Sequence, residues 1–337
     1  MYKIYKRGLY TKMSNEFRTN RACIVIASHI SNTKRIGHLI ECLTSLTRQT
    51  ILIDIYLSIS FENKDIQNDF AIEYSKHENK HLHTPQISMK VLTKKTPQMR
   101  HIRDILIPIY DKHDWVMFSD DDDTYEPNRV QNILQSIVNL LNHVAKQMPK
   151  NEFVGLYESE HGKNHKEQRQ EYWCYCVHTF VLQNFFKTVA LYDDILDHKC
   201  CDVFFAEYMR RMDNYYVFGS IQQKMYNYRV ENNADSITGM IKSKNKIVRQ
   251  PPGEITDENR EQCIQSLNEY LDTEIDMYLH DTYLRTIVGC TFDDILRNEF
   301  KSEYEILHLI KREHIDKIKH YYSYLREVCN MIYDTKI

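Results

Sequence analysis

The sequence predicts an α/β fold, a Rossmann-like mixed sheet flanked by helices and followed by a helical C-terminal extension. Three observations carry this expectation. Short apolar runs rich in β-branched residues alternate with helically periodic segments between residues 22 and 158, a pattern that builds a sheet covered by helices. The run Trp115–Phe118 leads through Ser119 into four consecutive aspartates, Asp120 to Asp123. Beyond Pro251-Pro252-Gly253, a break marked by proline and glycine, residues 257–337 show helical patterns.

Residues 22–30, ACIVIASHI, form a buried strand by their apolar, β-branched content. Asn32 or Thr33 can cap the next helix, whose Ile36, Leu39, Ile40, Leu43 and Leu46 share one face. Residues 51–59 are a second strand, 64–76 a polar helix, 87–93 a third strand and 98–110 a helix limited by Pro108. The strand 115–118 follows. After Pro127 a long amphipathic helix carries Val130, Ile133, Leu134, Ile137, Val138, Leu141, Val144 and Met148 as its apolar stripe. A strand at 153–157, a polar loop at 161–170 and a strand over 172–182 come next. Asp202 opens a helix that runs to Met212, and Tyr215–Phe218 and Lys224–Val230 are the last strand candidates. The expected organisation is a basic, flexible tail over 1–20, a catalytic domain over 21–250 and a helical region over 251–337.

Composition narrows the function classes. Hydrophobic residues at 42% and charged residues at 27% fit a soluble globular chain. A net charge of −3 argues against a nucleic-acid partner, which calls for a basic excess. The N-terminal tail is locally basic, with Lys3, Lys6, Arg7, Lys12, Arg18 and Arg21 against Glu16. It is expected to be solvated, with a peripheral contact to anionic membrane as the sharper alternative. The nine cysteines form no CxxC pair and are odd in number, which argues against a disulfide framework or a zinc site. No signal peptide and no bilayer-spanning run is evident, so a cytoplasmic, soluble protein is expected.

The acidic run is the strongest chemical signal. Adjacent carboxylates repel and raise one another's pKa unless a cation compensates. Hard oxygen donors suit Mn²⁺ or Mg²⁺. Ligands of open α/β sheets bind outside the carboxyl ends of the strands. Ser28 and His29, Ser60 to Glu62, and the run itself all fall there.

At these residues the chain resembles the GT-A fold, the nucleotide-diphospho-sugar transferase-like fold, and especially the inverting family 2 glycosyltransferases. The stretch ASHISNTKRIGHLIECLTSLTRQT is similar to the family's opening strand, polar loop, Arg and helix; LSISFEN is similar to its second strand end. MRHIRDIL places Arg103-Asp104 where the family has Arg-Asn, and WVMFSDDDDTYEPNRV supplies an Asp-x-Asp-Asp motif with Pro127 four residues on. CCDVFFAEYMRRM offers Asp202 at the position of the family's base, with Cys201 in place of Glu, and MYNYRVENNADSIT ends in a similar Tyr228-Arg229.

The resemblance implies a metal-dependent glycosyltransferase with a DxD motif, a nucleotide-sugar donor carrying UDP, and a glycan, glycoprotein or glycolipid acceptor. It implies Asp202 as the catalytic base and Asp120, Asp122 and Asp123 as metal ligands. Ala27, Ser28, His29, Arg35, Ser60, Glu62, Arg100, Arg103, Asp104, Asp120, Asp121 and Trp173 are the implied donor contacts. Glu158, Glu160 and Glu207 are substitutes for the base, and His178 is a further candidate for donor or metal contact. Each has a plainer reading. Asp202 can serve as a helix cap, Arg100 and Arg103 as surface residues, Trp173 as core and a lone His as a structural group.

Two other functions compete. A haloacid-dehalogenase-like phosphatase would use Asp120-x-Asp122-x-Thr124, although its nucleophile normally ends the first strand of the domain. A non-catalytic nucleotide-sugar or glycan-binding module would keep the fold without a base. The apolar stripe Ile306, Leu309, Ile310, Ile315, Ile318 and Tyr322 must be buried, either on the catalytic domain or in a homodimer interface.

Overall fold

The computed structural model describes residues 21–78, 87–147, 152–159, 166–229 and 252–333. The basic tail, Glu160, Met148 and the expected boundary at 250/251 lie outside the described residues. The chain divides into two compact units, Met1–Arg229 and Val230–Ile337.

The first unit is built on a seven-stranded sheet in the order β3-β2-β1-β4-β7-β6-β8. Its strands are β1 (Ala22–Ile30), β2 (Asp54–Phe61), β3 (Ile87–Leu92), β4 (Trp115–Ser119), β6 (Phe153–Glu158), β7 (Tyr175–His178) and β8 (Val217–Ile221). The helices are α1 (Thr33–Thr47), α2 (Lys64–Glu78), α3 (Gln98–Leu106), α4 (Arg129–Gln147), α5 (Thr179–Val189) and α6 (Cys201–Met212). A separate two-stranded sheet pairs β5 (Thr124–Tyr125) with β9 (Tyr226–Asn227). The mixed α/β architecture expected from the sequence is therefore present.

β1, β2, β3 and β4 are mutually parallel, as are β6 and β8, while β7 runs antiparallel to both β4 and β6. The chain winds outward from β1 through β2 to β3 and then returns to β4 on the other side of β1. Strand order reverses there, and in open sheets of this kind such a reversal is expected to leave a ligand crevice outside the strands' carboxyl ends.

Local signals explain the elements. β1 is buried almost throughout, as a central parallel strand requires. α1 starts at Asn32, whose side chain accepts from Arg35 N at 3.2 Å, and it buries the apolar face read from the sequence. α4 buries Val130, Ile133, Leu134, Ile137, Leu141 and Val144.

Three expectations need correction. β2 begins at Asp54 rather than residue 51, because Ile51 and Leu52 stay exposed. The stretch 172–182 is a 3₁₀ turn (Tyr172–Cys174), the short β7, and the start of α5, not one strand. His178 causes the last change, for its ring accepts from Phe180 N at 3.2 Å and caps α5. Finally, Tyr226–Asn227 pairs with Thr124–Tyr125 in the small sheet rather than extending the main one.

The second unit contains α7 (Arg260–Val288), α8 (Phe292–Phe300) and α9 (Arg312–Tyr333). Gly289, at φ 99°, ends α7 in the left-handed conformation, and Thr291 and Asp294 form a reciprocal capping box on α8. Leu267, Leu271 and Ile275 pack with Leu296, Phe300, Ile306, Ile310 and Ile318. The apolar stripe that the sequence left in search of a cover is thus largely covered within this unit. Asp272, Glu313 and His314 bring ligand atoms within 4.8 Å of one another. Lys311 Nζ already bonds both Asp272 oxygens, at 2.9 and 2.7 Å, and supplies the positive charge there. No helix among the described residues is long and apolar enough to cross a membrane. All nine cysteines are free.

Candidate functional site

The acidic run leaves β4 at the point where strand order reverses, so topology places it at the mouth of the crevice. Its side chains alternate in exposure. Asp121 and Asp123 are buried, at 6% and 1% exposed, while Asp120 and Asp122 are half-buried. Asp120 and Asp122 therefore form the more open Asp-x-Asp pair.

Each carboxylate has its own protein contacts. Asp120 Oδ1 accepts from Gln98 Nε2 at 2.9 Å and from the Tyr172 hydroxyl, and the Asp120 N–H donates to Tyr226 Oη at 2.8 Å. Asp121 accepts from Ser28 Oγ at 2.5 Å and from Arg35 Nη2. Asp122 Oδ2 lies 3.7 Å from Arg35 Nη1. Asp123 Oδ1 accepts from the Arg229 N–H at 2.7 Å, whereas Asp123 Oδ2 is buried with no hydrogen-bond partner.

Burial dominates the electrostatics. It lifts Asp121 to about 6 against the pull of Arg35, and it lifts Asp123 to about 6 against the Arg229 N–H. Asp120 is raised well above the usual range, first by burial and then by Asp123. Crowded, desolvated carboxylates of this kind suit a divalent cation. Hard carboxylate oxygens fit Mg²⁺ or Mn²⁺, and the orphaned Asp123 Oδ2 is an acceptor that such an ion would satisfy.

A second cluster forms where β1 and β2 end. His29 and Ser60 are register partners, and His29 Nδ1 lies 3.0 Å from Ser60 Oγ while Nε2 lies 3.0 Å from Glu62 Oε2. Burial lowers the His29 pKa despite Glu62. Ala27 is buried beside them. The structure thus brings together His29, Ser60 and Glu62, while the Ser28 hydroxyl turns to Asp121.

The α3 residues are placed differently. Arg100 meets Asp193 at 2.7 Å and also Asp197, and Arg103 meets Asp193 and Asp104, each at 3.0 Å. These pairs tie α3 to the 3₁₀ segment Ala190–Asp197, whose carboxylates occupy both guanidinium groups. Gln98, at the start of the same helix, is the residue that reaches the run. Trp173 is buried, with its ring 4.1 Å from Tyr226 and 5.5 Å from Tyr228 in stacked geometry, so protein rings supply its stacking partners. His178 caps α5 and meets Trp115 edge-on at 5.2 Å.

Asp202 lies in the first turn of α6, half-buried, while Cys200 occupies the cap position. Burial raises its carboxyl to about 6, with Glu171 adding to the rise and Arg169 opposing it. Tyr172, which donates to Asp120, is also within electrostatic reach of Asp202. One tyrosine thus lies near both carboxylates.

The two substitute bases among the described residues are engaged elsewhere. Glu158 is wholly buried against Arg129 at 3.0 Å, and Glu207 is buried between Arg210 and Arg211 at 2.6 and 2.7 Å. Gln98 and Tyr172 lie outside the motifs that drew attention, and Tyr226 and Arg129, although inside them, carry no motif signal of their own and were not singled out.

Three solved structures illustrate what the chain is similar to. No family model matches the chain, and no curated protein matches it. Among solved structures, S. aureus TarS is similar over 94% of this chain at 10% identity with a TM-score of 0.44; the chain spans 55% of that protein's length. The TarS 1-349 fragment in complex with UDP is 11% identical, with 91% of each chain covered and a TM-score of 0.43. The 4-diphosphocytidyl-2C-methyl-D-erythritol synthase of Anaerococcus prevotii is 12% identical over 67% of this chain and 97% of its own, with a TM-score of 0.37.

Proposed function

We propose that the chain is a metal-dependent glycosyltransferase of the GT-A, family 2-like kind, moving a sugar from a UDP-sugar to a hydroxyl acceptor with inversion. The observation that carries this reading is the acidic run at the sheet's switch point, with Tyr172 donating to Asp120 and lying within electrostatic reach of Asp202, whose carboxyl is raised to about 6. A carboxylate near neutral pKa suits general-base work at physiological pH. Clustered carboxylates at the crevice mouth suit a cation that binds a diphosphate.

Asp122 and Asp123 Oδ2 would hold Mn²⁺ or Mg²⁺, with Asp120 supporting the donor. A bound ion would neutralise the charge that grows on the departing diphosphate. Asp202 takes the acceptor's hydroxyl proton as its oxygen bonds to the anomeric carbon, and the bond from that carbon to the diphosphate oxygen breaks. His29, Ser60 and Glu62 offer donor and acceptor groups to the nucleotide. The acceptor is a glycan or glycoconjugate.

Titration calorimetry with UDP tests the donor and the metal together. UDP should bind about tenfold more tightly with Mn²⁺ than without, within the usual range of coupling between ligands. Equal affinity in both conditions, or no binding at all, would count against the reading.

The same titration has a pH signature. Asp121 and Asp123, at about 6, hold protons that compete with the cation below that pH. Mn²⁺-dependent UDP affinity should therefore rise from pH 5 to pH 7 and level off above. The linkage without metal has the opposite sign. Relative to the usual 3.8, the folded state keeps these protons longer than the unfolded chain, so their contribution to stability falls as pH rises through about 6. A flat Mn²⁺ effect across this window would show that these carboxyls do not feel the ion.

A further inference from the structure

The Arg35 guanidinium ion-pairs with the acidic run. Asn32 starts α1 and fixes its first turn, which sends Arg35 toward Asp121 and Asp122. The Arg35 side chain is 14% exposed. Arg229 gives the run only its backbone N–H among the contacts observed, because its guanidinium pairs with Glu41.

The two Arg35 contacts are unequal. Asp121, which also accepts from Ser28, is held by a direct hydrogen bond. Asp122 is approached at 3.7 Å, an ion pair beyond hydrogen-bond length. Asp122 is also the more open of the two carboxylates. One arm is thus an anchor in a buried setting, and the other is a loose contact at the position where a cation would arrive.

We infer that Arg35 is a resident counter-cation of the acidic run, anchored on Asp121, which covers Asp122 when no metal is bound and gives it up when a divalent ion binds. This inference rests on the metal reading proposed above. Its physical basis is competition: a guanidinium and a divalent ion both seek Asp122 and repel each other, so each weakens the other's hold by the same factor. Arg35 would let the run fold without metal and would keep metal affinity low until a diphosphate adds its own oxygens.

Arg35→Met in the full chain tests this, with Mn²⁺ alone and Mn²⁺ plus UDP as probes. Free Mn²⁺ is read by electron paramagnetic resonance, and stability by thermal denaturation. The variant should melt lower than the parent without metal and bind Mn²⁺ about tenfold more tightly, in line with typical coupling. Arg35→Lys should keep parental Mn²⁺ affinity. A purely structural arginine would lower stability and leave Mn²⁺ affinity unchanged or weaker; that result overturns the inference while the metal reading stands. If the parent binds no Mn²⁺ with or without UDP, the metal reading falls and the exchange falls with it. Should Arg35→Met fail to fold, Asp121→Asn with and without Arg35→Met gives the same comparison free of a buried unpaired charge. Equal Mn²⁺ affinity in those two proteins also overturns the inference.

Discussion

Asp202→Asn should lower sugar transfer by ~10²–10⁴-fold, the usual worth of a general base, while leaving the fold and UDP–Mn²⁺ binding intact. Asparagine matches aspartate in size and retains an oxygen that can accept from the backbone N–H groups at the start of α6. Cys200, not Asp202, occupies the cap position, so loss of a cap is not the expected outcome. The carboxylate should serve the acceptor rather than the diphosphate, so donor affinity should hold. The parent's rate should fall off at acid pH with a limb near 6, the value to which burial raises Asp202, and the residual activity of the variant should lack that limb. Paired measurements of transfer rate and UDP–Mn²⁺ affinity decide the matter. Parental turnover in the variant would move the base elsewhere, and Glu158 and Glu207 are poor heirs because arginines already engage both.

A second large effect is expected at Arg129. Its side chain is wholly buried, as is that of Glu158. Arg129 Nε bonds Glu158 Oε1 and Oε2 at 3.0 and 3.1 Å, and Nη2 donates to the Trp173 carbonyl at 2.8 Å. The guanidinium carbon sits 4.0 Å from the Tyr125 ring centroid and 5.0 Å from that of Tyr226. This one side chain therefore joins α4, β6, the 3₁₀ turn before β7 and both strands of the small sheet. Arg129→Met leaves the Glu158 charge buried alone, which costs about 3–5 kcal/mol for pairs of this type. For a unit of this size the melting temperature should drop by roughly 6–20 °C. Adding Glu158→Gln removes the stranded charge and should recover a large part of the loss. Calorimetric melting of both variants checks this, and a single variant that melts with the parent would show the pair to be dispensable.

The arginine also illustrates what was hidden in the sequence. β1, α1, α4 and the acidic run were legible because each signal is local: a β-branched run, a helical stripe, four like charges in a row. Gln98 and Tyr172 were not, since they lie 22 and 52 residues from Asp120 in sequence and meet it only through the fold. The roles of Arg100 and Arg103 were obscured for the converse reason. They resembled phosphate ligands until the Ala190–Asp197 turn brought carboxylates to them. The order of β7 and its antiparallel direction were equally out of reach. Tyr172 to Leu182 has the aromatic and β-branched content of a strand, and only the capping ring of His178 shows where the helix takes over.

The stack at Trp173 gives the protein an optical reporter. The chain has two tryptophans. Trp115 is enclosed in β4, packed near Phe153 and His178. Trp173 instead lies against Tyr226, whose hydroxyl accepts the Asp120 N–H, and against the half-exposed Tyr228, with the Lys224 ammonium 5.5 Å from its ring. Because Tyr226 links this indole to the acidic run and Lys224 lies near its ring, its emission is expected to respond to charge at that run. With Trp115 replaced by Phe, the remaining fluorophore would report occupancy of the crevice mouth in real time, without label or coupled assay.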